Sequence, residues 1–335
     1  MRQLDPQVRA LIEGMAGGAS PASPPAADPV ALRELYRSSR AALRPPPPWP
    51  EVAVVRDLVM AGPGGELALR LYRGAGTDAG ALLPAVVYFH GGGWMVGDLG
   101  THDVVCRQLA NAAGCALIAV DYRLAPEHRF PAAVEDSVAA VRWVAAQAAA
   151  LGIDAARIAV AGDSAGANLA TVAALTLRDL PLAGDPGLAM QLLVYPVTDL
   201  GLQTPSYASD TGRYLLTHAD MLWYRGHYLR NDADIADWRA SPLRAASLAG
   251  LPPTYVMTAG FDPLLDEGRA YADALRAAGV DVTYECFEGQ IHGFLLMGGV
   301  LAASQHAIYR LAQGLTRELS SSSAAAAGRV RPPRP

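Results

Sequence analysis

Ile158-Ala159-Val160-Ala161-Gly162-Asp163-Ser164-Ala165-Gly166-Ala167-Asn168-Leu169 constrains the fold more than any other stretch. An apolar, β-branched run ends in Gly-Asp-Ser-Ala-Gly and passes directly into a small-residue helical pattern. The chain must therefore go from strand to helix through one sharp turn. Such a turn has no room for bulk two residues either side of its tip, and Gly162 and Gly166 leave that space open. The Ser164 hydroxyl is pushed clear of the backbone. The helix starting at Ala165 turns free N–H groups back toward it. A glycine-rich turn that merely contains a serine carries the same five letters. The remaining chain decides the matter if it supplies a base, an orienting acid and oxyanion donors.

Around this turn the chain alternates short apolar runs with helical patterns. Strands are predicted at Ala85–His90, Ala116–Tyr122, Arg157–Asp163, Met190–Tyr195, Thr254–Gly260 and Thr283–Phe287. Helices are predicted at Asp103–Ala113, Ala132–Ala149, Ala165–Arg178, Asp266–Ala278 and Ser304–Glu318. Fully apolar strands separated by helices imply an α/β fold: a mostly parallel sheet with helices on both faces. Upstream, Val52–Tyr72 alternates around Gly62-Pro63-Gly64-Gly65, a hairpin signal.

Two regions break the rhythm. Residues 1–50 hold two short helical stripes (Val8, Leu11, Ile12, Met15; then Val30, Leu32, Leu35, Tyr36) and a stiff Pro45–Pro50 linker. Apolar stripes need a surface to cover, so this segment is expected to form a lid. Residues 200–240 carry many aromatics and no clear strand, and are expected to be a helical cap insertion. The catalytic domain then spans 51–199 and 241–319, followed by a disordered tail at 320–335, rich in Ser and Ala, then Arg and Pro.

A formal charge of −5 gives no footprint for nucleic acid. Cys106, Cys115 and Cys286 are scattered, with no Cys-x-x-Cys pair, and read as reduced thiols of a cytoplasmic protein. No apolar signal region follows Met1, and no run approaches a membrane span, so stable membrane insertion is not expected.

Three loops at strand ends carry the expected chemistry. His90-Gly91-Gly92-Gly93-Trp94 follows a strand and frees backbone amides to face a cavity. The amides of Gly92 and Gly93, with that of Ala165, are the candidate oxyanion hole; Gly91 shapes the turn. Which glycines donate is open at this point. His90 reads as a structural hydrogen-bonder. Asp262 closes another strand, on the ligand-binding edge of a parallel sheet, where it can orient a histidine. Its competing role is a helix cap. Asp266 is the rival acid, expected to face solvent. His292, in Gly289-Gln290-Ile291-His292-Gly293-Phe294, is the candidate base for Ser164, and His102 is expected near the mouth of the site. Trp94, Asp163 and Tyr195 border these loops. With Tyr214 and Trp223 of the insertion they are the candidate substrate contacts; Tyr207 and Tyr224 could line the same pocket, although such aromatics serve equally well as cap core. No His-Glu-x-x-His is present, and neither metal nor cofactor is expected.

The order Ser164, Asp262, His292 is that of an α/β-hydrolase. With His90–Trp94, Asp121-Tyr122-Arg123-Leu124-Ala125-Pro126-Glu127-His128, Gly162–Gly166, Asp262–Leu264 and Ile291–Phe294, residues 50–318 resemble the bacterial hormone-sensitive-lipase-like esterases. The resemblance implies a cofactor-free carboxylesterase acting on short- to medium-chain acyl esters. It also implies a cap built from the N-terminal helices plus the insertion, and a homodimer through the sheet edge. The Asp121–His128 stretch is expected to be structural, with Arg123, Glu127 and Asp136 in one buried network. Amides, lactones, carbamates and acetylated small molecules share the same carbonyl attack and stay open as alternatives. A non-catalytic receptor is disfavoured by the presence of all three residues.

Overall fold

Strands buried on both faces favour near-continuous apolar runs, and the central strands of the sheet carry them, with Gln191 a buried polar exception. A computed structural model gives the fold and describes residues 2–16, 28–181, 187–201, 203–208 and 214–325. Its strands are β1 (Val54–Gly62), β2 (Gly65–Arg73), β3 (Leu83–Phe89), β4 (Ala116–Val120), β5 (Ile153–Asp163), β6 (Met190–Val194), β7 (Thr254–Phe261) and β8 (Val282–Ile291). They form one eight-stranded sheet in the order β1-β2-β4-β3-β5-β6-β7-β8. The β1–β2 hairpin is antiparallel and joins β4 antiparallel; every other pairing is parallel. β4 and β6 are buried at every position.

Side-chain alternation along a strand divides the interior into two cores. Val87 and Phe89 of β3 and Val160 of β5 face α4 (Ala132–Ala146), α6 (Ala165–Asp179) and α9 (Leu265–Ala277). Val86, Tyr88 and Ala161 face α3 (Asp103–Ala113) and α10 (Ala302–Ala325). The α/β-hydrolase architecture read from the sequence is the one observed.

The differences lie at element ends. The helix predicted over Ala132–Ala149 stops at Ala146; Ala148–Leu151 forms a separate turn, α5, closed by Gly152 at φ 67°. The last strand runs on to Ile291, because Ile291 pairs with Phe261 despite the polar residues between. This brings residue 292 to the same sheet edge as residue 262. α10 continues to Ala325, into the stretch read as tail; residues 326–335 lie outside those described.

The two N-terminal helices part company. α1 (Pro6–Ala16) packs at the β8 edge, with Val8 fully buried and the Asp5 amide donating to the Gly289 carbonyl at 3.0 Å. α2 (Pro29–Leu43) lies on the catalytic domain: Arg33 meets Glu127 at 2.7 Å and Arg37 meets Asp98 at 2.6 Å. The insertion contributes α7 (Pro205–Ala208) and α8 (His218–Tyr228), the latter started by a Thr217/Asp220 capping box. Among the described residues no helix is long and apolar enough to cross a membrane.

A buried acid ties the insertion down. Glu267 of α9 is fully buried and accepts from the Thr198 amide at 2.7 Å and the Tyr207 hydroxyl at 2.8 Å. Burial pushes its carboxyl up to about 8, against those hydrogen bonds. The folded protein therefore binds more protons at this site than the unfolded chain between the ordinary Glu range and about pH 8, and stability falls as pH rises through that window. Thermal unfolding at about pH 5 and about pH 8.5 should show this loss in the wild type and a smaller one in Glu267→Gln. An equal pH dependence in both would remove Glu267 as its source.

Candidate active site

Ser164 stands at the tip of the β5–α6 turn with φ 55° and ψ −121°. Few non-glycine residues hold such a backbone, and the surroundings enforce it. The Ser164 amide donates to the Val194 carbonyl at 2.8 Å. A Cβ on Gly166 would strike the Phe89 carbonyl, and one on Gly162 would strike the backbone of Gly166. These two contacts are the physical reason for the glycines on either side of the serine.

His292 follows β8 and reaches both partners. Its Nε2 lies 2.9 Å from Ser164 Oγ and its Nδ1 lies 2.7 Å from Asp262 Oδ2. The Asp262 side chain is closed off from solvent. Its other oxygen accepts from the Leu264 amide at 2.9 Å, so orienting the histidine and capping the turn into α9 coexist in one carboxylate. Asp266 does not simply face solvent: it accepts from the Ser206 amide of α7 at 2.8 Å.

The glycine loop is held from beneath. Asp163 accepts from the Gly91 amide at 3.0 Å and the Tyr88 hydroxyl at 2.8 Å, and its Oδ1 lies 3.2 Å from His102 Nε2. Burial alone would raise Asp163, but His102, Tyr88 and His90 outweigh it and hold the carboxyl below its usual range. His90 donates from Nδ1 to the Gly91 carbonyl at 2.9 Å, and Tyr122 donates to the His90 carbonyl at 2.7 Å. Burial, helped by neighbouring His102, lowers His90 to about 4, so it is neutral at ordinary pH. Gly92 (φ 127°) and Gly93 (φ 57°) then carry the loop over the serine. Among the described residues, the amides of Gly92, Gly93 and Ala165 make no hydrogen bond. Unfilled amides lining a cleft beside a nucleophile form a ready receptor for an oxyanion.

A cavity of about 90 Å³ opens above Ser164. Its floor is Gly92, Gly93, Ser164 and His292; its walls include Val197, Leu215, Leu216, Met221 and Tyr224, together with Tyr36 and Arg40 of α2.

The structure moves most of the candidate substrate contacts off this wall. Tyr195, with φ 35°, is fully buried and packs its ring 4.6 Å from that of His292. Tyr214 packs on Phe261, and Trp223 packs on Tyr224 and His227; neither meets the cavity. Trp94 and Asp163 border it, but Trp94 is fully buried with its ring stacked on Tyr228 at 4.1 Å, and the Asp163 carboxylate is occupied by the glycine loop. His102 lies beneath the loop rather than at the mouth, its ring 5.5 Å from that of His90. Arg123 pairs with Asp136 at 2.9 Å, while Glu127 turns away to Arg33. Tyr36 and Arg40 are among the lining residues that sequence reasoning missed, as are Val197, Leu215, Leu216 and Met221. The spacing of four between Tyr36 and Arg40 puts them on one helical face, but only docking of α2 turns that face toward Ser164.

A serine, a buried carboxylate and a histidine at the ends of β5, β7 and β8, with free amides alongside, define a hydrolase that works through an activated serine. The α/β-hydrolase fold family model matches residues 86–296. The chain is 45% identical to a carboxylic ester hydrolase, LipN, of Mycobacterium tuberculosis, over 81% of this chain and 73% of that one. It is 40% identical to an ethyl acetate hydrolase of Pseudomonas putida, over 76% and 80% of the two chains. An α/β-hydrolase from the metagenome of Lake Arreo, Spain, superposes with a TM-score of 0.89 at 40% identity, covering 95% of this chain and 99% of that one. The chain belongs to the bacterial hormone-sensitive-lipase-like esterases of the α/β-hydrolase superfamily.

Proposed function

We propose that this carboxylic ester hydrolase cleaves esters of short acyl chains, with Ser164 as nucleophile. The observation that carries the reading is His292, hydrogen-bonded at once to Ser164 Oγ and Asp262. His292 Nε2 takes the Ser164 proton as Oγ adds to the ester carbonyl. The amides of Gly92, Gly93 and Ala165 receive the oxyanion. His292 passes its proton to the departing alcohol, leaving an acyl-serine. It then takes a proton from water, the resulting nucleophile adds to the acyl carbon, and the acid leaves as Ser164 is reprotonated. Asp262 keeps the proton on Nδ1, so that Nε2 faces the serine as an acceptor.

The small cavity favours the short end of the acyl range, and an ethyl acetate hydrolase among the relatives supports it. Turnover of a 4-nitrophenyl ester series should peak between acetyl and butyryl and fall with longer chains. A maximum at long acyl chains would overturn this assignment. The free thiols Cys106, Cys115 and Cys286 support a reducing, cytoplasmic setting. The expected homodimer would pair at β8, an edge of the sheet.

Gly93 tests the oxyanion reading. A Cβ there would drive into the Tyr224 ring, at a φ of 57°. Gly93→Ala keeps its N–H but the clash should shift it off the oxyanion, lowering kcat by about 10²-fold, the size of losing one oxyanion donor, while keeping a cooperative thermal transition. An unchanged kcat would remove this amide from the mechanism.

A further inference from the structure

Three arginines on α2 face the catalytic domain or the cavity, and two of them are satisfied. Arg33 forks onto Glu127 and donates to the carbonyls of Met95 and Ala125; Arg37 donates to Asp98. Arg40 reaches the cavity wall beside His292 and Gly293. Among the described residues no carboxylate pairs with it. Its Nε and Nη1 are shut off from solvent and make no hydrogen bond among the described residues, where its partner is the Tyr36 ring, 4.8 Å away.

The other charged and titratable groups around the cavity leave it unbalanced. Asp163 is taken up by Gly91, Tyr88 and His102, and Asp262 by His292 and Leu264. Burial raises the Tyr36 and Tyr224 hydroxyls, which stay neutral, and the Arg40 charge opposes that rise in both. A guanidinium with unfilled donors away from water is expensive to maintain unless an acceptor arrives. Nε and Nη1 lie on the two edges of the guanidinium, each of which forms a fork with Nη2, and a carboxylate is the acceptor whose two oxygens match either fork.

We propose that Arg40 binds a carboxylate of the substrate, so that the preferred esters are anionic. Two sources supply the group: half-esters of dicarboxylic acids, with the charge on the acyl side, and acyl esters of hydroxy acids, with it on the alcohol side. The inference rests on the ester-hydrolase reading of the same cavity.

Two matched pairs of substrates separate these sources. Monoethyl succinate against ethyl levulinate places a carboxylate or a neutral acetyl group on the acyl side. Acetoxyacetate against acetoxyacetone does the same on the alcohol side. For at least one pair, the wild type should favour the anion in kcat/KM by about tenfold or more, the scale of a charge-assisted bidentate contact. Arg40→Gln should abolish that ratio, and Arg40→Lys should keep part of it. The ratio is read within each protein, so a general loss of activity does not mimic the effect. A wild type that turns over the neutral esters without favouring either anion overturns the proposal and leaves the esterase reading standing, with Arg40 a packing partner of Tyr36. A ratio that survives in Arg40→Gln overturns it too. If no ester is turned over, the esterase reading fails. Calorimetry on Ser164→Ala with both pairs then still reads the carboxylate site, and equal binding within each pair rejects it.

Discussion

Ser164→Ala is expected to leave a folded protein with kcat lowered by about 10⁶-fold, because members of such a triad act as a unit. The oxygen removed is the one that joins the acyl carbon, and His292 has no other described proton to take at that place. Some acceleration over water should survive, since amides and cavity still bind the ester; about 10³-fold or more is typical of such remnants. Folding should not suffer. Ser164 Oγ is bonded to His292 alone among the described residues, and a residue at φ 55° gains nothing from its hydroxyl. Comparison of kcat and thermal midpoint for wild type and variant checks both parts. Substantial turnover in the variant would mean another nucleophile.

Asp262→Asn is the second large effect, and it works through a tautomer. Asp262 offers one oxygen to His292 Nδ1–H and the other to the Leu264 amide. Asparagine has a single oxygen. If that oxygen keeps Leu264, the amide nitrogen faces Nδ1, and the histidine must carry its proton on Nε2, where it can no longer accept from Ser164. If it keeps His292, an NH₂ group is forced against a buried N–H. The first arrangement blocks the base, and the second removes the charge that stabilises the imidazolium, so kcat should fall by about 10⁴-fold with little change in KM. A loss confined to KM would instead assign Asp262 to substrate binding.

The catalytic centre was legible in the sequence because backbone geometry writes it locally. Ser164 needs two flanking glycines, the oxyanion loop needs consecutive glycines, and Asp262 and His292 sit where strands stop. Each requirement leaves its mark within a few residues. The walls of the cavity are another matter. Trp94 and Tyr195 neighbour the site in sequence, but at φ 59° and φ 35° their rings are carried into the core, against Tyr228 and His292. Tyr36 and Arg40 lie far from the site in sequence, and they reach it only because Arg33 and Arg37 fasten α2 to Glu127 and Asp98. Docking of a helix depends on partners about a hundred residues away, and no local pattern reports it. The same holds for Glu127, which the sequence grouped with Arg123 and the fold gives to Arg33 of α2.

The central claim is that a short acyl group is transferred to Ser164, and stoichiometric covalent titration tests it most directly. A 4-nitrophenyl alkylphosphonate mimics the tetrahedral intermediate and releases one 4-nitrophenol for each serine it traps. Activity should fall in step with phenol release, reaching zero at one phosphonyl group per chain. Peptide mapping should place that group on Ser164, and Ser164→Ala should release no burst. Ester hydrolysis that persists after Ser164 is fully labelled, or complete inactivation with the label on another residue, would contradict the account.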